Sequence, residues 1–176
     1  MTAITVLLHR DCDVCGKPVT GKDEILCQRL QGEKIIMTIK TEHKEPIQDA
    51  NTIYLIMSAI LNSEDEIDRN KEHFWSIGLN AKNQIQYIEL VSLGTLSNSL
   101  IHPRETFRFA IMKGVANIIV CHNHPSGGLE PSREDIAITE RLVSSGEILG
   151  IKVLDHVIIG SGYLSMMEKG LLKCLQ

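Results

Sequence analysis

No apolar run in this sequence comes near the roughly 20 residues needed to cross a bilayer, which argues against a membrane-spanning helix. The start, MTAITVLLHRD, lacks the basic residues, the apolar stretch and the small-residue cleavage site of a secretory signal, so a cytoplasmic location is expected. Basic charge is also in short supply: 18 Lys and Arg against 22 Asp and Glu leave a net charge of −4. No Lys/Arg stripe with interleaved aromatics runs through the chain, so nothing in the charge supports nucleic acid as a partner. The five cysteines are an odd number and scattered, at Cys12, Cys15, Cys27, Cys121 and Cys174, which is no disulfide framework and fits reduced thiols. What remains is an ordinary globular sequence of 176 residues, 43% hydrophobic, suited to one domain with a small appendage. Assembly with further copies of itself is left open.

Read in order, residues 3–8 (AITVLL) and 34–39 (KIIMTI) are β-branched and aliphatic, and predict strands on either side of a polar, Gly-containing connection. Within that connection Cys12-x-x-Cys15 before a Gly has the form of half a structural zinc site; Cys27 with His9 or His43 would have to complete it, and reduced thiols in a turn are the simpler reading. A polar stretch at 41–49 then separates a small segment, 1–47, from the main domain, 48–176. Asp49 predicts a helix cap for 50–61, where Ile53, Ile56, Met57, Ile60 and Leu61 recur on one face. The charge run at 62–72 reads as a solvated loop. Two strand-like runs, 73–80 and 84–94, flank the short AKN and predict a β-hairpin. Pro103 opens a helix with Glu105 in its first turn, Gly114 closes it, and ANIIVC at 116–121 is a short strand buried on both faces. A helix over about 133–149 stops at Gly150, IKVLDHVIIG forms another strand, and LSMMEKGLL supplies a last helical turn or two. Alternating strands and helices predict an α/β domain, a central mixed sheet flanked by helices.

The chemistry concentrates in HNHPSGGLEPSRED, His122 to Asp135. Residues two apart on a strand share a face, so His122 and His124 can reach one ion. The Pro-Ser-Gly-Gly that follows lets the chain double back and bring in Asp135 as a third ligand. Two neutral imidazoles and one carboxylate leave zinc with an open position, the arrangement of a catalytic rather than a structural site, where bound water is acidified toward a pKa of about 7. Ser132, three residues before Asp135, also fits a capping box at a helix start. On this reading Asp135, if it ligates metal, cannot also reach back fully to the cap. Asp155 and His156 read as a satisfied pair supporting the sheet or the metal's surroundings, His102 as a polar residue beside an apolar run, and Cys121 as a packed core thiol facing away from His122.

His122-x-His124, seven residues, then Ser132-x-x-Asp135 resembles the JAMM motif of JAB/MPN metalloproteases, and the wording HNHPSG, PSREDI and VLDH resembles their bacterial RadC branch. The likeness runs from about Glu72 to about residue 170. It implies a fold akin to the cytidine-deaminase architecture, and zinc on His122, His124 and Asp135 with a metal-activated water attacking a peptide or isopeptide bond. It also implies a glutamate base upstream of the histidines and a stabilising role for Ser132 at the oxyanion. Two glutamates qualify: Glu72, where chain order in the family suggests it, and Glu105, whose helix leads back to the same end of the sheet. Residues 1–47 do not look like the helix-hairpin-helix region of full-length RadC proteins, which weakens a DNA-repair reading. A zinc deaminase is disfavoured because position 124 is His where H-x-E needs Glu, and no P-C-x-x-C follows. The non-enzymatic alternative is an adaptor, or a DNA-repair-associated RadC-like protein, in which the metal only braces the loop.

Overall fold

A computed structural model describes residues 24–30, 34–40, 45–94 and 101–172. The predicted strand at 3–8, Cys12, Cys15, His9 and His43 lie outside the described residues.

The first described elements are strands β1 (Glu24–Leu30) and β2 (Lys34–Lys40), paired antiparallel from Glu24↔Lys40 to Leu30↔Lys34. β2 is the expected strand. β1 replaces part of the expected connection, because a full antiparallel ladder with β2 satisfies backbone groups that a loop would leave to water. Helix α1 (Ala50–Ser63) starts where Asp49 accepts a hydrogen bond from the Thr52 N–H at 2.7 Å. The charge run holds a four-residue helix, α2 (Glu66–Arg69), capped by Asp65 and with no buried residue, so the run is solvated but not all loop.

β3 (Glu72–Leu79) and β4 (Ile85–Gly94) form the predicted hairpin. Its turn is held by the Asn80 side chain, which accepts from the Lys82 and Gln84 amides, and by Asn83 at φ 57°, a left-handed conformation asparagine tolerates. Helix α3 (Pro103–Lys113) is capped by His102, whose Nδ1 accepts from the Arg104 N–H at 3.1 Å, and Gly114 ends it at φ 61°. His102 therefore has a structural task. β5 (Asn117–Asn123), α4 (Arg133–Leu149) and β6 (Lys152–Ile159) form a βαβ unit, the β5/β6 pair being parallel. The last expected helix is instead a short strand, β7 (Tyr163–Ser165), followed by a turn over 166–170. Pairing with β6 decides this: Val157↔Ser165 and Ile159↔Tyr163 give the segment a ladder that one helical turn could not offer.

Among the described residues seven strands make one mixed sheet in the order β1-β2-β4-β3-β5-β6-β7. Alternation sorts its side chains onto two faces. Trp75, Ile77, Leu79, Ile119, Cys121 and Val157 pack with Ile53, Ile56, Met57 and Ile60 of α1. Phe74, Tyr87, Ile118 and Val120 pack with Phe107, Ala110, Leu142 and Val143 of α3 and α4 on the other side. A sheet covered on both faces explains why β3 and β5 read as unbroken apolar runs. No helix among the described residues is long and apolar enough to cross a membrane.

Gly146 shows how tightly α4 seats. A Cβ there would stand 2.4 Å from the Ile151 carbonyl oxygen and 3.2 Å from the Phe107 ring. Alanine gains about 1 kcal/mol over glycine in helix propensity, but overpacking a filled core costs about 1–3 kcal/mol. The obstructing atom is backbone, and Ile151 is tethered to the helix through its N–H to the Gly146 carbonyl at 2.9 Å. Gly146→Ala is therefore expected to lower the unfolding midpoint in urea or heat; a rise would mean that propensity outweighs the close approach.

Candidate metal centre

The centre lies where β5 runs out and α4 begins. β5 carries His122 at its end, and the His124 N–H donates to the Ile159 carbonyl at 2.7 Å, which keeps the chain extended past the strand. Both imidazoles therefore fall on the α3/α4 side of the sheet, with their Nε2 atoms 2.9 Å apart. The Phe74 ring lies beside His122 and edge-on to His156. A turn then reverses the chain: the Gly127 N–H donates to the His124 carbonyl, Gly127 sits at φ 80°, and the Gly127 carbonyl accepts from the Ser161 N–H. Gly160 permits this approach, since a Cβ there would meet the Gly127 and Gly128 carbonyl oxygens at 2.6 and 2.5 Å. The reversal delivers Ser132 and Asp135 at the α4 N-terminus.

Hydrogen-bond partners assign the imidazole tautomers. The Gly128 carbonyl can only accept, so the proton of His124 sits on Nδ1, 3.0 Å from it, and Nε2 carries a lone pair. The Thr139 hydroxyl donates to the Asp135 carbonyl at 2.5 Å, so its oxygen accepts from His156 Nδ1–H, also at 2.5 Å. That leaves His156 Nε2 an acceptor, and His122 must donate to it from Nδ1 at 2.7 Å. The Nε2 of His122 is thus a lone pair as well. Burial holds the His156 pKa well below the usual histidine value, so the ring stays a neutral link in this chain.

Asp135 supplies the third group. Its Oδ1 lies 3.3 Å from His122 Nε2 and its Oδ2 3.6 Å from His124 Nε2. Burial raises its pKa, while the Ser132 hydroxyl and N–H, both donating to Oδ2, lower it and favour the carboxylate. The positive end of α4 works in the same direction. Two imidazole lone pairs and a carboxylate thus face one another, and such a set repels itself unless a cation lies among them. Zinc–nitrogen bonds of 2.0–2.1 Å set tetrahedral ligand atoms about 3.3 Å apart; His122 Nε2 lies 2.9 Å from His124 Nε2 and 3.3 Å from Asp135 Oδ1, close to that value. The residues present fit a zinc ion, and His122, His124 and Asp135 form the only such group among the described residues.

Asp135 divides its two oxygens: Oδ2 accepts from the Ser132 N–H at 2.8 Å and the Ser132 hydroxyl at 2.6 Å, while Oδ1 faces His122 at 3.3 Å. The Asp135 N–H returns a bond to the Ser132 Oγ at 3.0 Å, completing the capping box. For Ser132 to donate its hydroxyl to a substrate oxygen, the bond to Oδ2 must open. Asp155 and His156 are not a mutual side-chain pair. Asp155 takes the His156 and Met167 amides and the Ser165 hydroxyl, bracing the β6–β7 corner, while His156 alone serves the centre. Cys121 is fully buried on the α1 side, and burial pushes its thiol pKa up, as for an inert core thiol.

The two glutamates sit differently. β3 and β5 pair with Phe74 opposite His122, and directly opposed residues share a face, so Glu72, two before Phe74, lies on the histidine side at the histidine end. Glu105 lies in the first turn of α3, with Arg104 Nε at 3.4 Å and Arg108 Nη1 at 3.9 Å; Arg108 also stands 3.8 Å from the buried Glu89. Sequence reasoning missed Thr139 and Asn123. Thr139 is four residues after Asp135, one helical turn on, which was a readable signal; Asn123, between the two histidines, is bonded to β3.

A family model described as a RadC-like JAB domain matches residues 47–171. The UPF0758 protein of Caldanaerobacter subterraneus subsp. tengcongensis is 46% identical over 140 residues, 79% of this chain and 58% of that protein. That of Desulforamulus reducens is 52% identical over 110 residues, 62% of this chain and 48% of its own, and that of Methanosarcina mazei 44% over 137 residues, 77% and 58%. The chain spans about half the length of these curated relatives. Their shared name states no activity.

If the Thr139–His156–His122 chain fixes the ligand tautomer, Thr139→Val should weaken zinc binding roughly 10–100-fold, the usual cost of losing an outer partner of a metal ligand. Competition with a chelator checks this. Unchanged affinity would show that His122 Nε2 is presented without the relay.

Proposed function

The chain belongs to the RadC-like JAB domain family, and we propose that it is a zinc-dependent hydrolase of peptide or isopeptide bonds. One observation carries the reading: His122 Nε2, His124 Nε2 and the Asp135 carboxylate converge with their hydrogens committed elsewhere, a set that calls for a cation. The likeness of the motif to JAMM metalloproteases supplies the reaction class. Zinc, when bound, acidifies water and polarises a carbonyl.

The protein's own residues then divide the remaining work. His122, His124 and Asp135 hold the ion. Glu72 is the general base: its carboxylate takes the proton from the attacking water and delivers it to the departing amine nitrogen, the two-step shuttle that makes an amide cleavable near neutral pH. The register that sets Glu72 on the histidine face supports this choice, whereas the arginines around Glu105 support an ion-pair role for that residue. Ser132 offers its hydroxyl to the developing oxyanion by exchanging its bond to Asp135. A cytoplasmic setting suits the odd number and scattered positions of the cysteines in the sequence.

Purified protein is expected to hold one zinc per chain, and His124→Ala to lose it. Activity is read on a mixture of unstructured peptides and lysine-branched isopeptides, with products identified by mass spectrometry. Glu72→Gln should keep the zinc and lose about 10²–10⁴-fold in rate, while Glu105→Gln stays near wild type. Zinc-loaded protein that cleaves none of these, or cleaves them equally well as Glu72→Gln, would leave the metal as a brace for an adaptor.

A further inference from the structure

Asn123 stands between the two histidine ligands in sequence, yet its side chain faces neither. We propose that it is a positioning residue that locks Glu72 at the metal centre by gripping the backbone on both sides of it. The inference rests on the reading of Glu72 as general base.

Backbone pairs between β3 and β5 run from Leu79↔Asn117 to Phe74↔His122. Past that point the Asn123 side chain takes over. Its Oδ1 accepts from the His73 N–H at 2.8 Å, and its Nδ2 donates to the Lys71 carbonyl at 3.0 Å. Glu72 is the residue between those two groups. The amide orientation is settled by its partners, since a peptide N–H only donates and a peptide carbonyl only accepts. Asn123 is 2% exposed and His73 1%, so solvent does not compete freely for these bonds.

Alternation along β5 puts Asn123 on the opposite side of the sheet from His122, while Glu72 shares the His122 side. The carboxamide therefore holds the strand from behind and leaves the glutamate facing the histidines. Only asparagine among residues of its size offers one donor and one acceptor at this spacing. Aspartate would set a carboxylate oxygen against the Lys71 carbonyl, serine could make one bond, and alanine none. One tripeptide, His122-Asn123-His124, thus supplies two ligands on one face and the anchor of the base from the other. A base must sit within hydrogen-bond reach of the proton it takes, so loosening its backbone acts on chemistry rather than on metal binding.

The test uses the full chain loaded with cobalt in place of zinc, whose visible absorption reports the surroundings of the ion without any substrate. Asn123→Ala and Asn123→Ser are compared with Glu72→Gln and with the double variants, alongside amide hydrogen exchange. Both Asn123 variants are expected to keep one cobalt per chain, to move the visible band as Glu72→Gln moves it, and to add no further shift in the Glu72→Gln background. Exchange at the His73 amide should quicken roughly tenfold with the loss of its acceptor, while Ile118 to Val120 in mid-strand stay unchanged. Should Asn123→Ala fail to fold, the band of Asn123→Ser and its coupling to Glu72→Gln decide, since serine can keep one of the two bonds. A band and a His73 exchange rate that ignore Asn123, while Glu72→Gln moves the band, would overturn the proposal and leave the base assignment standing. So would an added shift in the double variants, because Asn123 would then act by another route. A band indifferent to Glu72→Gln would remove the base assignment, and this proposal with it.

Discussion

Three acceptors crowded together with no hydrogen to share form the constraint on which this end of the molecule depends. Each alternative use of a proton has been closed off. The His124 proton goes to the Gly128 carbonyl, the His122 proton to His156, the His156 proton to Thr139, and the Thr139 proton to the Asp135 carbonyl one turn back in α4. Breaking any link would let an imidazole present an N–H to the centre instead of a lone pair. A buried negative group with two such neighbours is costly unless paired, so a cation bound there would also contribute to folding.

The sheet exists in the form needed to hold that arrangement. β5 is central and covered on both faces, so His122 is fixed by packing before any ligand arrives. The parallel neighbour β6 sets His156 next to it through Val120↔His156 and His122↔Ile158. The α4 crossover that a parallel pair requires begins at the same end of the sheet, and its capping box contributes Asp135. The connection that any βαβ unit must make here brings Asp135 to His122 and His124.

Much of this was legible locally. Period-two spacing placed the histidines, the Ser-x-x-Asp pattern placed the helix start at Ser132, and Gly114 and Gly150 marked helix ends that the structure reproduces. What escaped was set by partners distant in sequence. Asn123 reaches Lys71 across 52 positions and His156 reaches Thr139 across 17, and no window of residues around either one encodes those meetings. β1 was hidden because its cysteine suggested a metal turn, and β7 because three residues are too few for a period to show.

Exposure at the centre is lopsided, and this bears on what such a site is for. His122 and Asp135 have side chains 0% and 2% exposed, whereas the His124 side chain is 15% exposed and leads into a turn whose Ser126 and Gly128 are exposed. The ligand atoms therefore close the site from the protein side and leave its approach at the His124 end, where β3 also begins with the half-buried Glu72. The exposed edge of the group is therefore the His124 side, at the end of the sheet where Glu72 begins β3 opposite the end of β5.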